Sequence, residues 1–150
     1  MIVRTGVLVD VYNQKIESFI LKAKTYKELN VQIKKMLNTD WLDSKFVNFS
    51  GISCCCFFDD IGKVRSDIKY IPSIVLVNKD TNKIVDWISG NVWIEGYDGG
   101  EDTRSLNSKE IIRLITLCFT TVSFSNSSEK FNVLKSVDTW VDITELMESN

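Results

Sequence analysis

The chain has 150 residues, 44% of them hydrophobic and 25% charged, which is typical of one globular domain with a substantial core. Its 18 basic and 20 acidic residues give a net charge of −2, which argues against binding along a nucleic acid because phosphate contacts need a basic excess. The chain has no histidine, which excludes the Ser-His-Asp triad, the Cys-His dyad, the HExxH zinc site and the two-histidine phosphoesterase site.

The N-terminal segment predicts a β-hairpin followed by a helix. Residues Val3–Val11 and Ile16–Leu21 are apolar and β-branched, and Asn13-Gln14 separates them. Residues 25–28 (TYKE) match a capping box, in which the first and last side chains satisfy free backbone amides. The apolar residues that follow share one helical face: Tyr26, Leu29, Ile33, Met36 and Leu37. An amphipathic helix is therefore expected over about residues 26–37.

The rest of the chain alternates short apolar runs with polar turns, which predicts strands. These runs are residues 46–49, 52–58, 73–78, 83–88, 91–96, 120–124 and 131–137. Asn107 and Glu110 form a second capping box, which predicts a helix to about residue 118. Trp140–Met147 is expected to be a short helix or a clasp, and Trp41 is expected in the core or such a clasp. The pattern predicts one α+β domain over residues 1–150, a mostly antiparallel sheet of about six to eight strands with two helices on one face.

Composition also suggests a compartment. Residues 1–6 contain one arginine and no apolar run of signal-peptide length, and no stretch approaches the ~18 apolar residues of a membrane helix. We therefore expect a protein that stays in the cytoplasm of the cell that makes it and does not contact membranes. Cys54, Cys55, Cys56 and Cys118 are expected to be small apolar strand residues, because adjacent cysteines lack C-x-x-C geometry and no histidine is present to activate a thiol.

Several segments resemble, in order, a domain of unknown function found in phages and mobile elements, DUF3846. They are residues 59–63 (DDIGK), 89–96 (SGNVWIEG, like the family's GNVxIxG strand), 98–101 (DGGE) and 105–111 (SLNSKEI, like the family's SLTxEEI helix start). The resemblance covers roughly two thirds of the chain, within residues 1–118, and the extension over 119–150 departs from it. It implies a phage or mobile-element accessory protein and carries over no catalytic residue.

Arg104 and Ser105 are candidate ligand-binding residues. Gly99 and Gly100 free the backbone before them and a helix begins just beyond, where unpaired amides and a partial positive charge favour phosphate. The alternative is that Arg104 pairs with Glu101 or Asp102 on the surface. The sequence around Arg104 contains neither a P-loop motif nor the glycine fingerprint of a dinucleotide-binding turn.

Aromatic residues supply the second candidate. In a strand, Trp93, Glu95 and Tyr97 share one face, and Trp87 precedes them. A face that mixes aromatic and polar groups can stack a base or receive a partner's side chains, or it can be a half-covered sheet face under the C-terminal tail.

The acidic turn supplies the third candidate. Asp98, Glu101 and Asp102 could hold a hard cation, but they lack the alternating spacing of a calcium loop, so solvated turns are expected instead of a metal site.

Three functions are considered, and the first two rest on what the resemblance to DUF3846 implies, together with the small acidic chain and the absence of a recognisable catalytic constellation. The first is a non-enzymatic anti-defence protein that sequesters a nucleotide immune signal (a sponge) with Arg104, Ser105, Trp87, Trp93 and Tyr97, as a possible homo-oligomer and without a cofactor. The second is a protein–protein inhibitor that blocks a host defence protein. The third is a metal-dependent enzyme that uses carboxylates alone, which is disfavoured because no nucleophile is paired with a base.

Overall fold

Two β-sheets and two helices make up the computed structural model, which describes residues 1–49, 51–62, 71–78, 80–81, 83–123, 130–136 and 140–141. The helices are α1 (Tyr26–Leu37) and α2 (Ser108–Ile115). The strands are β1 (Ile2–Asp10), β2 (Lys15–Ala23), β3 (Leu42–Phe49), β4 (Ile52–Asp59), β5 (Pro72–Asn78), β6 (Lys83–Ser89), β7 (Val92–Gly96), β8 (Thr120–Ser123), β9 (Lys130–Ser136) and β10 (Trp140–Val141).

The first sheet has the strand order β10-β3-β4-β7-β1-β2, and all its neighbours are antiparallel. The N-terminal hairpin pairs without a break from Ile2 opposite Ala23 to Asp10 opposite Lys15. The second sheet has the order β6-β5-β9-β8, and β5 runs parallel to β9. The first sheet therefore joins segments from the beginning, middle and end of the chain, whereas the second sheet joins segments from its middle and end.

Alternation along the central strands separates two faces of the first sheet. Val7 lies opposite Ile94 and Leu8 opposite Trp93, so each pair points to its own side. The Ile94 side packs against the second sheet and α2, in a core that includes Ile74, Leu76, Leu114 and Leu134. The Trp93 side packs under α1, against Leu29, Ile33 and Leu37. The first sheet thus lies between α1 on one side and the second sheet with α2 on the other.

The α+β class, the single compact domain and the mostly antiparallel pairing are confirmed, as are the hairpin and both capped helices. The structure differs in having a second sheet and in placing the helices on opposite faces of the first. The physical reason is visible in β5, which is buried on both faces because Ile74 and Leu76 face the main core while Val75 and Val77 pack with Val133.

The C-terminal segments extend this framework. β9 lies beside β5, and Trp140–Val141 forms a strand against Phe46 and Val47 of β3, as a clasp would. The predicted strand ends at residues 124 and 137 and the remainder of the 140–147 segment lie outside the described residues. Trp41 is 60% exposed, so the expectation of a core or clasp position for it is wrong. Neither described helix is long and apolar enough to cross a membrane.

Three consecutive cysteines are buried in β4, with Cys54 and Cys56 in the main core and Cys55 on the α1 side. Burial raises the pKa of the Cys54 and Cys55 thiols to about 12 and that of Cys56 well above its usual value. These thiols are therefore protonated at neutral pH, as expected of apolar packing groups. Cys118, by contrast, follows α2 in an exposed loop rather than a strand.

Candidate functional site

The five predicted ligand-binding residues lie on three separate surfaces. Trp93 and Tyr97 are on the α1 side of the first sheet, while Arg104 packs over Gly96 on the opposite side. Trp87 belongs to the second sheet, where it packs with Val75 and neighbouring apolar residues. The structure therefore does not assemble the single site that these residues were predicted to form.

Arg104 is already occupied by carboxylates. Its Nε donates to Asp98 Oδ2 at 2.7 Å, and Nη1 and Nη2 donate to the two oxygens of Glu110 at 2.8 and 2.9 Å. Nη1 also donates to the Ser105 carbonyl at 3.0 Å. The hydrogen bonds from Arg104 lower the pKa of Glu110 below its ordinary value. Arg104 thus joins two acidic residues, and the prediction that it presents a free guanidinium to phosphate is wrong.

Ser105 also has a structural contact set. Its Oγ accepts from the Thr5 amide at 2.9 Å and donates to the Val3 carbonyl at 3.3 Å. Next to it, Leu106 donates its amide to the Thr5 carbonyl at 2.9 Å, and Arg104 forms an antiparallel bridge with Gly96. These contacts fasten the segment before α2 to β1 and β7, so Ser105 has a structural role.

A cavity of about 310 Å³ lies on the other side of the sheet, which we call the α1 cavity. It is bounded by α1, by β3, β4 and β7, and by the loop that follows β7. Its lining is Tyr26, Leu29, Asn30, Ile33, Ser44, Phe46, Cys55, Phe57, Glu95, Tyr97 and Gly100–Thr103. Its volume is at the lower end of the range of about 300–1,000 Å³ that is usual for small-molecule sites.

Glu95 is the polar centre of this cavity and is completely buried. Its Oε2 accepts from the Trp93 indole at 2.7 Å, and its Oε1 accepts from the Thr103 hydroxyl at 2.5 Å. Arg4 Nε lies 3.4 Å from the same Oε1. Burial raises the pKa of Glu95 above its ordinary value, although these hydrogen bonds and the charge of Arg4 oppose the shift. Glu95 is thus held by a neighbour on its own strand, by the loop that follows β7 and by Arg4 of β1.

A second carboxylate closes the cavity from the loop side. Asp102 Oδ2 accepts from Arg4 Nη2 at 2.8 Å and from the Tyr26 hydroxyl at 2.5 Å. Tyr26 is the first residue of α1, so this contact joins the helix to the loop. Arg4 also donates to the Thr103 hydroxyl at 3.2 Å. The loop is therefore fixed to both β1 and α1 at one point.

Aromatic rings form the opposite wall. The Phe46 and Tyr97 rings lie 4.1 Å apart at an interplanar angle of 30°. The Tyr97 hydroxyl donates to the Gly100 carbonyl at 2.8 Å, which keeps the ring directed along the loop. The α1 cavity thus combines an aromatic wall with a buried carboxylate.

The shared face of Trp93, Glu95 and Tyr97 is confirmed, but α1 and the following loop cover it rather than the C-terminal tail. Sequence analysis missed Arg4 and Tyr26, which lie 98 and 76 positions from their common partner Asp102. Glu95 had a signal, a charged residue in the otherwise apolar run 92–96, which is typical of a polar group with an internal partner. In the acidic turn, Asp102 accepts from Arg4 and Asp98 accepts from Arg104. The described residues contain no group of three His, Cys, Asp or Glu side chains placed to hold a metal.

Comparison with known proteins finds no matching family model, no matching curated protein and no matching solved structure. The resemblance to DUF3846 therefore stays a prediction from sequence.

Proposed function

We propose that this chain is a non-enzymatic binding protein that sequesters a nucleotide by holding its base in the α1 cavity. The observation that carries the proposal is the Phe46–Tyr97 wall beside the buried Glu95. Aromatic rings stack on flat heterocycles, and a carboxylate accepts from the amino groups and ring N–H groups of a base.

The charges of the cavity favour a base-first orientation. Arg4 is the basic residue of this network, and it already contacts Glu95 and Asp102. Glu101 adds a further acidic group to the rim. Phosphates would be repelled by this rim, so the base enters while the sugar and phosphates face solvent. This orientation differs from a phosphate site at Arg104, and it assigns recognition to Glu95, Phe46 and Tyr97.

The lining favours binding over catalysis. Trp93 and Thr103 hold Glu95 in one orientation and leave each oxygen a lone pair that a base can use, and the high pKa of Cys55 keeps its thiol protonated, so the lining offers no thiolate nucleophile. Together with the resemblance to a phage and mobile-element family, this supports a role in host-cell cytoplasm as an antagonist of a nucleotide-signalling defence.

The test is isothermal titration of the purified protein with adenosine and with adenosine monophosphate. We expect both to bind, and Tyr97→Leu to weaken adenosine binding roughly tenfold, as loss of one stacking contact predicts. Trp87→Leu, which removes a ring from the second sheet, is the matched control and should leave affinity unchanged. Circular dichroism confirms that each variant folds. No saturable adenosine binding, or equal affinity in the Tyr97 variant, would refute the site.

Native mass spectrometry of protein from a host with an active signalling defence supplies an independent measurement. A retained nucleotide mass on a defined oligomer supports sequestration and reports the oligomeric state. A ligand-free protein that carries a stoichiometric host polypeptide contradicts it and supports the alternative, a protein–protein inhibitor that blocks a host defence protein.

A further inference from the structure

A second cavity lies at the opposite end of α1, and we call it the Ser89 cavity. Its volume is about 470 Å³, within the usual range for small-molecule sites. The described lining is Tyr12, Met36, Leu37, Asn38, Asp59, Gly62, Ile71, Ser89, Gly90 and Asn91. It shares no lining residue with the α1 cavity, whose α1 residues lie before position 34.

Ser89 provides the observation that points to a ligand. The residue is only 4% exposed, and its hydroxyl has no hydrogen-bond partner among the described residues. Burying an unpaired hydroxyl destabilises a fold, so buried hydroxyls are nearly always paired. Ser73, one position from Ser89's cross-strand neighbour, shows the usual outcome, because its equally buried hydroxyl donates to the Ile88 carbonyl at 3.2 Å.

The surrounding polar groups serve the fold. Asp59 Oδ1 accepts from the Thr39 hydroxyl at 2.8 Å and from the Ile61 amide at 3.2 Å. Asn91 Oδ1 accepts from the Val11 amide at 3.0 Å. Ser89 is therefore a buried lining hydroxyl that finds no partner among the described residues.

The rest of the lining defines the class of ligand. Met36, Leu37 and Ile71 offer apolar surface, and the described lining contains a carboxylate, Asp59, but no Lys or Arg. A negatively charged ligand would meet that carboxylate without a compensating cation. We propose that the Ser89 cavity binds a small uncharged molecule with an apolar body and one hydroxyl or carbonyl group, which pairs with the Ser89 hydroxyl.

The test uses 2-phenylethanol as the probe and phenylacetate as its anionic counterpart, each titrated into the full ¹⁵N-labelled chain. We expect saturable shifts of the Gly62, Gly90 and Asn91 amides with 2-phenylethanol, and weaker binding of phenylacetate. Ser89→Ala should weaken 2-phenylethanol binding roughly threefold to tenfold, the effect of one hydrogen bond. Ser73→Ala is the matched control and should retain the wild-type affinity.

Stability shows that the Ser89→Ala variant stays folded, so that a loss of affinity reports on the missing hydroxyl. Without the probe, Ser89→Ala should be as stable as the wild type or more so, since it removes an unsatisfied group. Absence of saturable shifts, equal affinity in Ser89→Ala, or tighter binding of phenylacetate would each overturn the proposal. Adenosine binding at the α1 cavity is a separate measurement, so either site can fail without the other.

Discussion

Glu95 shows what one buried charge does in this fold. It stands in the centre of the first sheet, yet it contacts Trp93, Thr103 and Arg4, so its charge is balanced by donors from three places in the chain. Desolvation offsets much of the attraction between a buried carboxylate and such partners, but a change to the carboxylate leaves those partners unsatisfied.

Replacing Glu95 with Gln should lower the free energy of unfolding by about 2 kcal/mol, because one accepting oxygen becomes a donor that faces Thr103 or Trp93. Urea unfolding followed by circular dichroism measures the change. Glu101→Gln, an exposed neighbour on the same rim, is the control and should change stability by less than about 0.5 kcal/mol. Equal effects of the two substitutions would contradict the role assigned to Glu95.

The pair formed by Arg104 and Glu110 predicts an acid dependence. Arg104 lowers the pKa of Glu110 from its ordinary 4.5, so the folded state binds this proton less readily than the unfolded chain. The associated stability is present above pH 4.5 and is lost as the pH falls through the lower, folded-state pKa. Arg104→Gln should flatten this loss in urea unfolding between pH 5 and pH 3. If the free energy of unfolding of Arg104→Gln falls as steeply with decreasing pH as that of the wild type, the Arg104–Glu110 pair does not cause the acid dependence.

At the level of elements, the absence of a side chain at Gly6 of β1 makes room for the Trp93 indole between the first sheet and α1. A Cβ added at Gly6 would lie 2.5 Å from Trp93 Cζ2 and in conflict with the Ile94 carbonyl. The indole therefore lies directly over the β1 backbone, and Leu29 and Ile33 of α1 pack in the same cluster.

Gly6→Ala should lower the free energy of unfolding by about 3 kcal/mol, because backbone and a buried ring must both shift. Gly100→Ala is the matched control, since a Cβ at Gly100 meets nothing within 4 Å. Thermal unfolding of the two variants compares them directly. Equal melting temperatures of Gly6→Ala and Gly100→Ala would show that the close contact between Gly6 and Trp93 does not constrain the fold.

Elements were predictable where their signals are local. Thr25 caps α1 by accepting from the Glu28 amide, and Asn107 with Glu110 caps α2 reciprocally, as the four-residue patterns indicated. The partner of a strand is a nonlocal property, and the sequences of β8 and β9 carry no mark that assigns them to a sheet with β5. The second sheet was missed for that reason.

The same limit applies to the candidate site. The common face of Trp93, Glu95 and Tyr97 follows from strand alternation, but the cover over it does not. The Arg4–Asp102 contact spans 98 positions. Arg104 pairs with Asp98 and Glu110 and not with the expected Glu101 and Asp102. The capping geometry of α2 turns the Glu110 carboxylate toward Arg104.

For the molecule as a whole, one core joins both sheets, since Val9 and Ile94 pack in the same cluster as Leu76 and Leu134. The two sheets should therefore unfold as one cooperative unit. In ¹H–¹⁵N spectra recorded across a urea series, the native amide signals of these four residues should disappear with a common midpoint. Loss of the Leu76 and Leu134 signals at lower urea would show that the second sheet unfolds independently.

The distribution of cysteines has a practical consequence. The three thiols of β4 are buried, two of them in the main core and one on the α1 side, whereas Cys118 lies at the surface just beyond α2. A thiol-reactive fluorophore added to the native protein should therefore attach at one position. That label would report on binding and assembly without the need to engineer a new cysteine.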